Sequence, residues 1–424
     1  MANFMKKLEL LAPAGNILKM RTALFSGADA VYLGIPDFSL RVRINDFNLE
    51  TVALAIKEVH KQKKKVYLTI NIFAHNKHLA KLPDYVKKIK AMAPDGLIIS
   101  DPGVMSVVRS VWPEAEIHLS TQANCTNAAA AKFWYDNGVT RVVLGREVTM
   151  NEIKEIHKAA PKLELEYFAH GAMCVAYSGR CFLSKELVDR SGNLGDCAQP
   201  CRWEYSIKAK NHEEEFDLVE EEHGTYLLNS KDMCLLEYLP ELVEAGVVSF
   251  KIEGRAKSVY YQAVVSGIYA RALKFLSQKP SEAAWKKEAK YLKAELVDKL
   301  VHRGYTSGFL LGGKAEQNLT SANHLSDWEF CGQVVTPEVD WFKPVLKTGE
   351  QAVYFQVHNT IKTGDTVEII EPYYDIIKIS PKKIYDAKTG EELSEAHGGG
   401  GSRTALIITK ENVPALSVLR RKII

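Results

Sequence analysis

The sequence predicts an α/β protein: a (β/α)8 barrel of the TIM type carrying a cysteine-rich insertion, followed by a small C-terminal β-barrel. Three observations lead there. Short, β-branched apolar runs alternate with amphipathic helical stretches through the first 275 of 424 residues. Eight strand–helix pairs fall within about the 250 residues that such a barrel needs. From residue 328 onward the helical period stops and strand and turn signals dominate.

The runs 8–12, 30–34, 66–70, 96–100, 117–120, 141–144, 163–169 and 248–253 read as the eight strands. Helical stretches 17–26, 49–63, 81–93, 104–112, 127–137, 149–160 and 233–244 lie between most of them, and 258–275 follows the last. Strands separated by helices of this length pair in parallel. A doubly wound sheet is the alternative, but the first turn, Pro13-Ala14-Gly15-Asn16, lacks the G-x-G-x-x-G fingerprint of a dinucleotide fold. Asp101 before Pro102 reads as a helix N-cap. The domains are expected at 1–276, with a cysteine-rich loop at 170–205, a charged helical connector at 277–327 and a β-domain at 328–424. Strands of that last domain are expected at 332–335, 351–357, 366–370, 376–380 and 404–409, with a turn at Lys362-Thr363-Gly364-Asp365 and a flexible glycine loop at 398–401.

Composition is that of a globular protein, 46% hydrophobic and 25% charged. No apolar run approaches the roughly 20 residues of a membrane helix. The N-terminal stretch has two lysines but no signal-peptide core before Pro13. A cytoplasmic location without a membrane partner is therefore expected, and thiols stay reduced there. The net charge of +3, from 55 basic and 52 acidic residues, is too balanced to argue for nucleic acid by itself. The lysine-rich runs at 61–65 and 286–293 read as solvated helix faces, and the acidic run at 213–222 as an exposed loop.

Four of the seven cysteines, Cys174, Cys181, Cys197 and Cys201, fall within 28 residues. Reduced, clustered thiols are soft metal ligands, and four of them close a zinc or iron–sulfur site. Their gaps are six, fifteen and three residues. The Cys197/Cys201 pair suits zinc spacing, the Cys174/Cys181 pair does not, and both metals stay open on spacing alone. Cys125 and Cys331 read as small buried apolar residues, while Cys234, expected at a helix start after Asp232, is a reserve ligand. The cluster follows the seventh strand, hence the C-terminal mouth where barrel enzymes keep their chemistry.

HExxH, GxSxG and P-loop motifs are absent. Polar residues fall at the expected strand ends: Asn71, Asp101, Gln122, Arg146, His170, Lys251, Glu253 and Arg255. Arg146, Lys251 and Arg255, with Glu253 among them, are expected to form a substrate pocket suited to a carboxylate or phosphate. Glu166 and His170 are the acid–base candidates nearest the cysteines, and His170 with Cys174 is the pair a cysteine peptidase would use.

The stretches Glu166-Tyr167-Phe168-Ala169-His170-Gly171-Ala172-Met173-Cys174 and Gly179-Arg180-Cys181-Phe182-Leu183-Ser184 resemble the signature of the collagenase-like U32 peptidases. Supporting pieces lie at residues 9–15, 27–32 and 251–255, so the resemblance runs over essentially the whole chain. It implies several further things. One branch of that family acts on tRNA, forming 5-hydroxyuridine at the wobble position without oxygen and in connection with prephenate. Relatives carry a [4Fe–4S] cluster on four cysteines, which here correspond to Cys174, Cys181, Cys197 and Cys201, with Cys234 the rival for the fourth place. The expected partners are then tRNA and a small anionic co-substrate. A U32-type peptidase and a non-catalytic iron–sulfur adaptor that binds tRNA are the alternatives.

Overall fold

Burial on both faces marks the first strands as members of a parallel sheet covered on each side: every residue of Glu9–Ala14 and Ala30–Gly34 is buried. The structure is a computed structural model describing residues 7–40, 46–174, 176, 180–203, 230–313, 316–318, 324–398 and 403–423. The acidic run 213–222 and most of the glycine loop, 399–401, lie outside the described residues. Two compact units emerge, one of residues 1–20, 29–256 and 301–324, the other of 21–28, 257–300 and 325–424. They do not follow chain order. The helix after the eighth barrel strand and the one after it count with the C-terminal unit, and residues 301–324 return to the first.

The first unit holds strands β1 (Glu9–Ala14), β2 (Ala30–Gly34), β3 (Lys65–Ile70), β4 (Gly96–Ile99), β5 (Ile117–Leu119), β6 (Arg141–Val143), β7 (Glu164–Ala172), β8 (Asp232–Cys234), β9 (Val247–Ile252) and β10 (Tyr305–Thr306). Strands β1 to β7 pair in sequence, β7 pairs with β9, and β9 pairs with β1, all in parallel. Eight parallel strands thus close into a barrel, as expected. The connecting helices obey local rules. Leu49–Lys61 starts with a capping box from Asn48 and Thr51 and buries Val52, Ala55, Ile56 and Val59, one stripe at helical spacing. Met150–Ala159 repeats the device with Thr149 and Glu152. Asp101 caps Pro102–Val111, with proline in the first turn.

One expectation fails here. Residues 233–244 are not a single helix. Asp232–Cys234 is strand β8, antiparallel to the end of β7 with Cys234 opposite His170, and only Leu239–Glu244 is α-helical. The apolar run Met233-Cys234-Leu235-Leu236 has no period, so its partner strand decides its state.

The barrel interior is polar toward its N-terminal end. Arg141 on β6 donates to Glu9 on β1 and, at 3.3 Å, to both Glu166 on β7 and Ser249 on β9. Glu166 accepts on its other oxygen from Lys251 Nζ at 2.7 Å. Tyr67 on β3 donates to Glu9 at 2.7 Å. Glu166 is 0% exposed, and Glu9, Arg141 and Lys251 are buried with it. The four alternate in sign, so each buried charge has an opposite neighbour.

In the second unit, helices Val259–Ser277 and Glu282–Lys299 start at Ser258 and Ser281 caps. Its antiparallel sheet comprises Trp328–Val334, Gln351–Val357, Val367–Ile370, Ile376–Ile379, Ile384–Asp386, Glu392–Leu393, Thr404–Thr409 and Val418–Lys422. It is a half-barrel: among the described residues its two outer strands, Ile376–Ile379 and Glu392–Leu393, are not paired with each other. Strand Val418–Lys422 runs through the middle of it, and the strand prediction misses it. Its Arg420 is 0% exposed, held by Glu368, Glu295 and the Tyr374 hydroxyl.

Burial pushes the Glu9 carboxyl up, but the Arg141 charge and the bonds from Arg141, Tyr67 and Ser249 outweigh it, and the group titrates below its ordinary 4.5. Glu9 therefore contributes stability above that ordinary value, lost as pH falls through the lower folded one. Arg141→Met, which strands two buried carboxylates, is expected to cost about 3–5 kcal/mol at neutral pH. Urea unfolding followed by circular dichroism checks this. The same measurement in acid checks that Glu9→Gln flattens the loss of stability below Glu9's ordinary pKa.

Candidate functional site

Strand alternation carries the buried ion ladder up to a cavity. Residues 249, 251 and 253 alternate along β9 and its end: Ser249 and Lys251 bind the ladder, and Lys251 and Glu253 line the cavity above it. On β7, Glu166 lies in the ladder and Phe168 lines the cavity. The cavity has a volume of about 260 Å³ and stands at the strands' C-terminal ends. All four cysteines of the cluster line it, together with Arg146, Lys251, Glu253 and Arg255. Asn71 and Gln122, two further strand-end residues, line it as well, whereas Asp101 is spent on its helix cap.

The remaining predicted residues lie elsewhere. Glu166 is sealed beneath the floor between Arg141 and Lys251, so it positions Lys251 and has no opening to the cavity. His170 is buried beside the Tyr305 ring at 5.4 Å, and it does not line the cavity. The β7–β9 register shifts between Phe168 and His170. That irregularity breaks the alternation that places residue 170 inward in a regular strand. Cys234, buried in β8 rather than at a helix start, is outside the lining too.

The cavity's floor is aromatic. Lys251 Nζ stands 4.3 Å from the Tyr32 ring centroid and 5.6 Å from that of Phe168. The Arg146 guanidinium lies 3.7 Å over the Phe168 ring, and its buried Nε has no hydrogen-bond partner among the described residues. Arg255 donates through Nη2 to the Leu40 carbonyl at 2.7 Å. Burial lowers the Lys251 ammonium below the ordinary lysine range, opposed by Glu166 and Glu253. Tyr32, Phe168, Arg190 and Arg202 are lining residues that the sequence reading misses. Phe168 was readable from its two-residue spacing to Glu166, while Arg190 and Arg202 carry no local signal.

The cysteine segment is tied down over the mouth. Asn193 accepts from the Cys181 amide at 3.1 Å through its side chain and from the Phe73 amide at 3.1 Å through its carbonyl. Arg180 donates twice to the Gln122 carbonyl, at 2.8 and 3.1 Å. Ser184 Oγ accepts from the Ala198 amide at 2.9 Å. Backbone N–H groups also point at sulfur: Leu183 at Cys181 Sγ, 3.4 Å, and Gln199 at Cys197 Sγ, 3.3 Å. Such contacts stabilise thiolate charge. Burial pushes the Cys201 thiol up, and the thiols of Cys174, Cys197 and Cys181 add to that shift, so the four share one electrostatic neighbourhood. They are unbridged. Among the described residues, no three His, Cys, Asp or Glu side chains are gathered closely enough to hold a metal ion as they stand. The chemistry of the set, four thiols on one wall with amide donors, nevertheless fits a soft metal centre. No histidine lines the cavity among the described residues, and no helix among them is long and apolar enough to cross a membrane.

Comparison with known proteins agrees with this picture. Residues 15–320 match the family described as peptidase family U32. The chain is 38% identical to tRNA hydroxylation protein P of Escherichia coli over 93% of each chain. It is 37% identical to tRNA hydroxylation protein P1 of Bacillus subtilis over 92% of this chain and 90% of that one. It is 34% identical to the 23S rRNA 5-hydroxycytidine C2501 synthase of Escherichia coli, over 73% of this chain and 46% of that protein.

Gly171, just after His170, has φ +113, and a Cβ there meets the Glu253 carbonyl oxygen at 2.4 Å. Gly171→Ala is therefore expected to displace the Glu253 backbone and to destabilise the protein by more than about 1 kcal/mol. Thermal unfolding compared with a surface glycine substitution such as Gly313→Ala, where nothing lies within 4 Å, checks this.

Proposed function

The chain belongs to peptidase family U32, and from that premise we propose that it is an RNA-modifying enzyme that hydroxylates a pyrimidine base. In its finer form the proposal is conversion of the wobble uridine of tRNA to 5-hydroxyuridine, independent of oxygen, with prephenate as co-substrate and a [4Fe–4S] cluster on Cys174, Cys181, Cys197 and Cys201. The names of the relatives support the hydroxylation of RNA. The observation that carries the reading is the cavity itself: an aromatic floor, an arginine whose Nε–H has no partner among the described residues, and four thiols meet in one space at the barrel's C-terminal mouth.

Each element has a task there. A base stacked in an anticodon loop hides its reacting carbon, so it must be flipped out to be modified. Tyr32 and Phe168 line the space that a flipped pyrimidine enters, each ring backed by a cation, Lys251 and Arg146. Arg146 and Arg255 supply N–H donors for a carboxylate such as those of prephenate. Lys251, held by Glu166, fixes a positive charge at the floor. The cluster, when bound, supplies redox or Lewis-acid chemistry at the cavity wall. The peptidase alternative needs a base beside Cys174, and no histidine lines the cavity among the described residues.

Two measurements test the proposal. After anaerobic purification, iron and acid-labile sulfide are expected in the wild type and in Cys234→Ala, and lost from Cys181→Ala and Cys201→Ser. A colourless, zinc-loaded wild type overturns the cluster. Nucleoside mass spectrometry of tRNA from a strain lacking the gene is expected to show loss of 5-hydroxyuridine, restored by the wild type. Arg146→Met is expected to restore less than about a tenth of it, the loss of one charge-assisted contact. Unchanged hydroxyuridine without the gene overturns the function, and full restoration by Arg146→Met reduces this cavity to a bystander, as the adaptor reading requires.

A further inference from the structure

The cysteine segment carries an exposed apolar surface with no role in the cavity beneath it. Five of the seventeen exposed large apolar side chains among the described residues fall between positions 182 and 203: Phe182, Leu187, Val188, Leu194 and Trp203. Surface apolar residues scattered singly need no explanation, but a dense group beside a binding cavity does. Phe182 is 72% exposed and Trp203 is 40% exposed.

Their placement is specific. Phe182 sits between Cys181 and Leu183, and both of those line the cavity. Trp203 follows Cys201 and Arg202, which line it too. The two aromatics come from elements that pack together, the helix Leu183–Val188 and the turn Pro200–Arg202. Both are therefore exposed directly beside residues that line the cavity.

Charge accompanies them. Arg180, an exposed residue two positions before Phe182, donates two hydrogen bonds to the neutral Gln122 carbonyl and stands 5.6 Å from the Phe73 ring. No acidic partner compensates it among the described residues. An exposed aromatic pair with an arginine bound only to a neutral carbonyl among the described residues, next to a base-sized cavity, matches the surface that grips single-stranded nucleic acid. Bases stack on the rings and the cation meets the backbone.

Resting on the RNA reading above, we propose that Phe182 and Trp203 are the stacking platform for unpaired loop bases flanking the nucleotide that enters the cavity, with Arg180 on the phosphates. The cysteine segment thus has two faces: the inner one meets the reacting base, and the outer one orders its neighbours. This surface sets affinity for a single-stranded loop. It does not depend on the cluster's chemistry.

Fluorescence anisotropy with a labelled anticodon stem–loop RNA tests it, using full-length protein purified anaerobically. Phe182→Leu and Trp203→Leu, which keep apolar area but remove the ring, are each expected to weaken binding about tenfold, within the range for one stacked base. Phe182→Tyr and Trp203→Tyr keep a stacking face and are expected to bind within about threefold of wild type. Arg180→Gln is expected to weaken binding and to make it less salt-dependent. Metal content and thermal unfolding of each variant separate a lost contact from a lost fold, and the tyrosine variants carry the comparison if the leucine ones fold poorly. Wild-type affinity in the Phe182→Leu/Trp203→Leu double variant overturns the platform alone and leaves the surface to a protein partner. Absence of RNA binding by the wild type overturns the RNA reading and the platform with it.

Discussion

The buried ladder of Glu9, Arg141, Glu166 and Lys251 is the constraint on which the barrel depends. A lone buried ion costs several kcal/mol, so the four are tolerable only as an alternating series. Each stands on a different strand, β1, β6, β7 and β9. Those four strands include the closure of the barrel, since β9 pairs with both β7 and β1. A register slip of one residue in any of them turns its charged side chain out of the interior and strands the partner. The ladder thus specifies register more than it adds net stability. It also delivers one charge upward, because its last member, Lys251, is a residue of the cavity floor.

Above the floor the structure changes its means of control. Among its described residues past β7, the cysteine segment contains little regular structure, only Leu183–Val188 and short turns. Its shape is held by polar side chains reaching backbone groups: Asn193 at Cys181 and Phe73, Arg180 at Gln122, Ser184 at Ala198. Two of these tether the segment to loops that follow β3 and β5. The thiols are therefore brought to one wall by hydrogen bonds from residues between them, and their uneven sequence spacing reflects the path of the segment over the mouth.

The barrel was legible in the sequence because its signals are local. Two-sided apolar strands, amphipathic helices and caps such as Asn48, Asp101 and Thr149 each declare themselves within a few residues. The cysteine wall and the strand-end cations were legible for the same reason, since strand ends converge once a barrel is assumed. What escaped depends on distant partners. Arg141 and Glu9 are 132 positions apart, and neither looks unusual alone. Val418–Lys422, with three basic residues, is absent from the predicted strands, yet Glu368 and Glu295 pair with Arg420 and it lies inside the sheet. His170 was expected just past a strand ending at residue 169, whereas β7 runs on to Ala172 and its pairing with β9 shifts register between Phe168 and His170. Glu166 was seen as an acid because a lysine 85 positions later could not be seen to hold it.

The cavity's two central cations show how position divides their work. Lys251 already has its counter-charge in Glu166, so an incoming anion gains little from pairing with it. Arg146 is different: its buried Nε has no partner among the described residues, and a buried donor left unmade costs about 1–3 kcal/mol. That cost is recovered only by a ligand that presents an acceptor there. The Phe168 ring, 3.7 Å below the guanidinium, holds its plane in place. An apolar occupant of the cavity leaves the donor unmade, while a carboxylate or a base carbonyl satisfies it. This is the arrangement behind the proposal that Arg146 meets the ligand while Lys251 stays part of the floor.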